Sequence, residues 1–322
     1  MHIPENYLSP ATCAVTGAAM VPVWAHSVKK VKDNVPKEKL PLIGVGAAFS
    51  FLAMMFNVPL VGGTTGHAVG GTLIALLFGP DAACLAVSVA LIIQAFIFGD
   101  GGIMSLGANC FNMAFLLPYV GYFVYNLIVK KASKGNVENA STGIRLVAAG
   151  VGSYIGLAVA ALSTSIMFGI QPYIAKDASG NPLYCPYDLT VSIPAMMIPH
   201  LAVACFVEAI FTIAVFAFVK KTSPTLITDK FTEEEHKKSR IPLFALAAVL
   251  IVATPLGLLA TGDAWGEWEI EGWTFPSPLP DYSLEGAGEV IGYILSAILG
   301  AALLVIIFKL ISLLFKDKKN VA

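Results

Sequence analysis

The chain has 322 residues, 57% of them hydrophobic and 13% charged, with a net charge of −1. Soluble domains are about 25% charged, so the composition excludes an ordinary soluble enzyme and a disordered chain, and the missing basic surplus excludes a nucleic-acid binder. A mean hydropathy of +0.76 instead predicts a protein embedded in a lipid bilayer.

A bilayer-crossing helix takes roughly 20 mostly apolar residues. In chain order such runs stand at 8–27, 40–61, 80–98, 104–129, 143–169, 193–219, 241–261 and 287–315. A shorter run, 67–79, lies between the second and the next. As a straight helix it would measure about 20 Å, too short to cross unaided, so it can also be read as a re-entrant segment covered by protein. The fold class is therefore all-α, a polytopic membrane helical bundle of about nine passes.

Nineteen of the twenty Lys and Arg residues fall into four segments: Lys29–Lys39, Lys130–Arg145, Lys220–Arg240 and Lys309–Lys319. Basic loops stay on the cytoplasmic side. Nine passes, an outside N-terminus and an inside C-terminus satisfy all four segments together. The first apolar run has its positive flank behind it, the reverse of a signal peptide, which predicts no cleavable leader. The charged stretch 221–240 predicts a cytoplasmic linker between a core of about seven helices, 1–220, and a two-helix tail, 241–322. The loop inside the tail is acidic, with Asp263, Glu267, Glu269, Glu271, Asp281 and Glu285.

Five histidines are present, and His2 is the informative one. A free amine followed by X-His offers three nitrogens: the amine, the amide of residue 2 and the imidazole. They close fused five- and six-membered chelate rings. A deprotonated amide suits square-planar Ni(II) or Cu(II) better than Mg, Ca or Zn. His67 lies on the same predicted side, within Gly62-Gly63-Thr64-Thr65-Gly66-His67-Ala68-Val69-Gly70-Gly71. Glycines there permit close backbone approach, so Met1, His2 and His67 form one candidate metal set. The structural alternative makes His2 a frayed terminal residue and His67 a helix cap.

Other polar residues invite the same weighing. Asp100, Asn109 and Asn112, with Thr64, are placed to accept the second N–H of a metal-bound imidazole; helix capping and interhelical bonding are the alternatives. Glu208 lies eight residues after His200 in an apolar run. A carboxylate at membrane depth marks function by default, on a transport pathway or as an orienting group, with helix–helix bonding the structural alternative. The five cysteines form no CxxC pair and read as small hydrophobes. Small-residue pairs Ala14/Ala18, Gly44/Ala48 and Gly46/Ser50 allow close helix packing, within the chain or against a partner.

The opening Met1-His2-Ile3-Pro4-Glu5-Asn6-Tyr7-Leu8-Ser9-Pro10 resembles the N-terminus of the CbiM/NikM family, the substrate-specific membrane subunits of nickel and cobalt energy-coupling-factor (ECF) transporters. The usual family opening is Met-His-Ile-Pro-Asp-Gly-Phe-Leu. Gly66-His67, Phe78-Gly79-Pro80, Gln94-Ala95, Phe98-Gly99-Asp100-Gly101-Gly102, Gly107-Ala108-Asn109, Phe111-Asn112-Met113, His200 and Glu208-Ala209 carry the resemblance through residues 1–220. Pro255–Ala260, Ala264–Trp268 and Pro278–Tyr282 resemble the long family members, in which a small N-type subunit is fused behind the core. Where some relatives have Pro-Asp-Gly-Leu-Glu, this chain reads Pro280-Asp281-Tyr282-Ser283-Leu284-Glu285.

The resemblance implies that the Met1 amine, the His2 amide and ring, and the His67 ring bind the ion. It implies a multi-pass protein of a prokaryotic cell membrane, with Ni(II) or Co(II) as transported substrate and no organic cofactor. Its partners would be an ECF coupling transmembrane subunit and two ATPase subunits. The chain has no G-x-x-x-x-G-K-[ST] loop, so ATP hydrolysis falls to those partners and the chain itself is not an enzyme. A fused tail favours nickel over cobalt. An intramembrane metalloenzyme built on His67, His200 and Glu208 lacks any HExxH spacing. A self-sufficient secondary carrier usually shows an internal repeat and a midplane site, and neither is visible.

Overall fold

The structure, a computed structural model, describes residues 2–61, 65–136, 140–224, 233–260, 265 and 272–314, with the backbone alone for 233–240. Among the described residues the chain forms nine principal helices. These are α1 (Pro10–Asn34), α2 (Leu40–Met54), α3 (Gly71–Phe78), α4 (Pro80–Phe98), α5 (Leu106–Ala132), α6 (Thr142–Gly169), α7 (Leu189–Thr222), α8 (Glu233–Ala253) and α9 (Glu289–Leu314). Seven helical stretches are long and apolar enough to cross a membrane. The other two, α2 and α3, have 15 and 8 residues.

Local chemistry sets the helix starts. Ser9 accepts the Thr12 N–H and Pro10 opens α1 with its ring-fixed backbone. Ser141 caps α6 through Ile144 N–H, and Asp188 caps α7 through Thr190 and Val191 N–H. Three π-helical turns interrupt the longer helices: Gln94–Phe98 in α4, Cys110–Leu116 in α5 and His200–Ala204 in α7. Such turns re-aim the side chains that follow and gather at functional sites.

The core centres on α2. It is apolar all round, and Leu40 and every residue from Leu42 to Met54 is buried, as suits a helix enclosed on every side. It lies against α4, α8 and α9. One of the small-residue pairs explains the last contact: a Cβ added at Gly44 would come 2.7 Å from Phe308 Cβ in α9. A second tie comes from Tyr293, whose hydroxyl donates to the Met55 carbonyl at 2.8 Å.

The short run 67–79 splits into an extended lead-in and α3. Before it, β1 (Val58–Pro59) pairs antiparallel with β2 (Thr65–Gly66) in the register Val58↔Gly66 and closes the loop that delivers His67. At the far end of α3, Phe78 and Gly79 line a cleft with Asn34, Pro36 and Lys39. The segment therefore connects the two ends of the bundle rather than turning back, and α4 returns to the end where it began. That end holds the N-terminal segment 2–8, residues 65–70 and residues 99–105, and is called below the histidine end.

Candidate metal centre

The described N-terminal residues, 2–8, run as an irregular segment into the histidine end. Ile3, fully buried, is bonded through both backbone groups. Its N–H donates to Asn109 Oδ1 at 2.8 Å. Its carbonyl accepts from Gly102 N–H at 2.8 Å, the Ser105 hydroxyl at 2.5 Å and Asn109 Nδ2 at 3.1 Å. The Glu5 carboxylate accepts from Ile103 N–H at 2.5 Å; burial pushes its pKa up, against the pull of the Ile103 and Met104 N–H bonds. Farther along, Cys185 N–H donates to the Tyr7 carbonyl at 3.1 Å and Ser9 N–H to Gln171 Oε1 at 2.9 Å. Gly102 is required by the approach: a Cβ there would lie 2.8 Å from Glu5 N and 2.9 Å from Pro4 C.

This anchoring brings His2 and His67 together, 65 positions apart in sequence. His2 Nδ1 lies 3.3 Å from His67 Nε2, with ring centroids 4.8 Å apart. The two residues are 4% and 7% exposed. His67 Nδ1 stands 3.2 Å from the Ala68 carbonyl, which orients the ring and turns Nε2 to His2. Among the described residues His2 Nε2 has no hydrogen-bond partner.

Asp100 is the nearest charge. Its Oδ1 is 2.9 Å from His2 Nδ1. Its Oδ2 accepts from Gln94 Nε2 at 3.1 Å and from the Tyr282 hydroxyl. Burial raises a carboxyl pKa, but His2, the Tyr282 bond and His67 outweigh it and hold Asp100 below the usual carboxylate range. Tyr282 is pushed the other way, by burial and by Asp100 itself, and stays a proton donor.

Glu208 supports the lead-in to α3 from behind. The carboxylate, 0% exposed, accepts from Val69 N–H at 2.7 Å and Gly70 N–H at 3.1 Å. These groups precede the N-terminus of α3, where backbone donors lack helical partners. Glu208 thus holds the segment that presents His67. His200 is buried with Nδ1 2.8 Å from the Met196 carbonyl of its own helix.

The remaining sequence-predicted residues divide as follows. Asn109 sits at the site but holds the Ile3 backbone rather than an imidazole. Asn112 points between helices, to Thr164 Oγ1 at 2.9 Å and Met167 Sδ at 3.5 Å. Met1 and Thr64 lie outside the described residues. Sequence reasoning gave no site role to Glu5, Gln94, Ser105, Gln171 or Tyr282, although Glu5, Gln94 and Tyr282 stand in the motifs that carry the resemblance. Two of these had a signal, since Gln94 and Gln171 are amides within or beside apolar runs, where polar groups need partners.

A cavity of about 570 Å³ opens beside the pair, lined by His2, His67 and Asp100 and, from the tail, by Asp281, Glu289 and Tyr293. Among the described residues no three His, Cys, Asp or Glu side chains form a metal cage. Two imidazoles converge here, and further donors would have to come from backbone or solvent.

The family model for CbiM, "Cobalt uptake substrate-specific transmembrane region", matches residues 2–226. The fused nickel transport protein NikMN of Rhodobacter capsulatus is 42% identical over 337 aligned residues, covering 95% of each chain. A probable fused nickel transport protein, LarMN, of Lactiplantibacillus plantarum is 45% identical and covers 96% of this chain and 97% of its own. The crystal structure of a truncated transition metal transporter superposes with a TM-score of 0.63 at 50% identity, over 69% of this chain and 99% of that one. Together with the helical bundle and its membrane-length spans, these matches make the chain a multi-pass prokaryotic membrane transport protein, not an enzyme, and it belongs to the CbiM family.

Proposed function

We propose that this chain captures Ni(II) from outside the cell as the substrate-binding membrane component of an ECF-type ABC transporter. The observation that carries the reading is the 3.3 Å approach of His2 Nδ1 to His67 Nε2 in a buried site. Two nitrogens held at right angles about 2.0 Å from one ion stand about 2.8 Å apart, so a shift of about half an ångström would seat the metal. Nδ1 is also the nitrogen that closes a six-membered ring with the His2 amide. With Met1 as the first residue of the mature chain, its amine completes a four-nitrogen plane.

Charge supports the same reading. Ni(II) with one deprotonated amide carries one net positive charge, and the Asp100 carboxylate beside it cancels that charge. A neutral site costs least at membrane depth. Nickel precedes cobalt in the affinity order, and a planar four-nitrogen set suits it. The fused relatives quoted above are named for nickel. A core of 1–220, a linker of 221–240 and a tail of 241–322 would divide the work of capture and docking. A coupling membrane subunit and two ATPase subunits would supply the energy.

The test is Ni(II) titration of the purified chain with and without one residue added before Met1. The extension moves the amine and keeps every side chain. The expected result is a diamagnetic square-planar spectrum in the native chain and its loss on extension. Unchanged binding after extension overturns the amine–amide–imidazole site.

A further inference from the structure

We propose that Tyr282, in the tail, is a positioning residue for metal capture: its hydroxyl holds the Asp100 carboxylate in place against His2. The proposal rests on the reading of His2 and His67 as metal ligands.

Three observations converge on this tyrosine. Its backbone is left-handed, with φ +59°, directly after Asp281 at φ +52°. Residues with side chains take that conformation only where their surroundings over-determine it, and such places gather at functional sites. The surroundings here are specific. The Tyr282 carbonyl accepts from the Ser296 hydroxyl at 2.9 Å, and Leu279 N–H donates to the Ile97 carbonyl at 2.9 Å. The ring, on a residue 7% exposed, stacks on Phe98 at 4.8 Å and meets Phe51 and Tyr293 edge-on.

The polar end of that ring points at the metal centre. The hydroxyl donates to Asp100 Oδ2 and accepts from Gln94 Nε2 at 2.9 Å. The other Asp100 oxygen is 2.9 Å from His2 Nδ1. A continuous line of polar contacts thus runs from residue 282 through residue 100 to residue 2. Docking of the tail completes the environment of the capturing imidazole, and an undocked tail leaves Asp100 without its tyrosine donor. With Ni(II) on Nδ1 the Asp100 carboxylate no longer accepts from that nitrogen and acts as the negative charge beside the ion, held there by Tyr282; groups one shell out typically change metal affinity 10–100-fold when altered.

The experiment uses the full-length purified chain and Ni(II) alone as probe, with Tyr282→Phe, Asp100→Asn and the double variant. Phenylalanine keeps the stacked ring and removes only the hydroxyl. The expected result for Tyr282→Phe is about tenfold weaker Ni(II) binding with the wild-type absorption band, because the four nitrogens remain. Asp100→Asn is expected to weaken binding at least as much, and adding Tyr282→Phe to it to cost nothing further. Non-additivity of that kind marks one shared interaction, which a packing role would not produce. Unchanged affinity in either single variant, or fully additive losses in the double, overturns the proposal. If Tyr282→Phe fails to fold, unchanged Ni(II) affinity in Asp100→Asn alone overturns the proposal. Failure of the underlying site is recognised separately: wild-type chain would then lack the four-nitrogen spectrum, and His67→Ala would bind Ni(II) like wild type.

Discussion

At the residue scale, one imidazole serves two neighbours. His2 Nδ1 faces both Asp100 and His67, at 2.9 and 3.3 Å. Without metal the carboxylate can hold an Nδ1–H. In the proposed Ni(II) complex the same nitrogen would bind the ion, and Asp100 would serve as its counter-charge. Metal binding at such a site must expel protons. At pH 7 the His2 amide loses one proton, and a terminal amine with an ordinary pKa of about 7.7–8.0 loses most of another. Ni(II) binding is therefore expected to release about two protons, with affinity falling as pH falls because protons compete for the same nitrogens. Isothermal calorimetry in buffers of different ionisation enthalpy measures the number; release of well under one proton excludes the amide as a ligand.

At the element scale, the arrangement of His2 beside His67 depends on how closely the N-terminal segment lies against the loop 99–105. Residues 2–5 are fastened to 102–109 by hydrogen bonds at both backbone groups of Ile3 and at the Glu5 carboxylate. Gly102 sets the spacing, since its missing side chain leaves room for Pro4 and Glu5. Gly102→Ala is expected to push the segment outward, to lower stability by about 1–3 kcal/mol as overpacking does, and to weaken Ni(II) binding more than tenfold. Thermal unfolding of the metal-free chain and a Ni(II) titration measure the two effects. Wild-type affinity in this variant would show that the placement of this segment does not control the ligands. The shortness of α3 belongs to the same scale. The stretch ahead of it is held by Glu208 at Val69 and Gly70, and His67 there meets His2.

At the scale of the whole molecule, the charge pattern and the helix ends make one topology testable. Lys131 and Glu285 are both exposed and lie in segments that the basic-residue rule assigns to opposite sides. Lys131→Cys is expected to react with a membrane-impermeant thiol reagent only in opened cells, and Glu285→Cys in intact cells. The reverse labelling overturns an outside histidine end. All five native cysteines are buried, so background labelling is expected to be low.

The sequence by itself determined the solvent and the class of fold. Long apolar runs with few charges call for a bilayer, and inside it their backbone groups are satisfied within helices. It also offered candidate donors, His2 in the opening Met1-His2 and His67 among glycines, which are read without coordinates. Its family resemblance extends from the N-terminus into the tail, in agreement with the matches over nearly the whole chain. What it left open were the contacts between distant positions. Asn109 and Asn112 are the same residue type three positions apart, yet one holds the N-terminal segment and the other bonds to Thr164. A π-helical turn begins between them and rotates one away from the other. Glu208 could equally have joined two helices; only packing of α7 behind residues 69–70 gave it two backbone N–H groups to hold. Nothing in the string Pro280-Asp281-Tyr282 announces a buried ring in a left-handed backbone beside Asp100. That arrangement exists because α9 packs on α2 and carries the preceding loop back over the histidine end. Local chemistry is written in neighbouring residues and is read from them directly; hydrogen bonds across a hundred or more positions are set by helix packing, which only the tertiary structure decides.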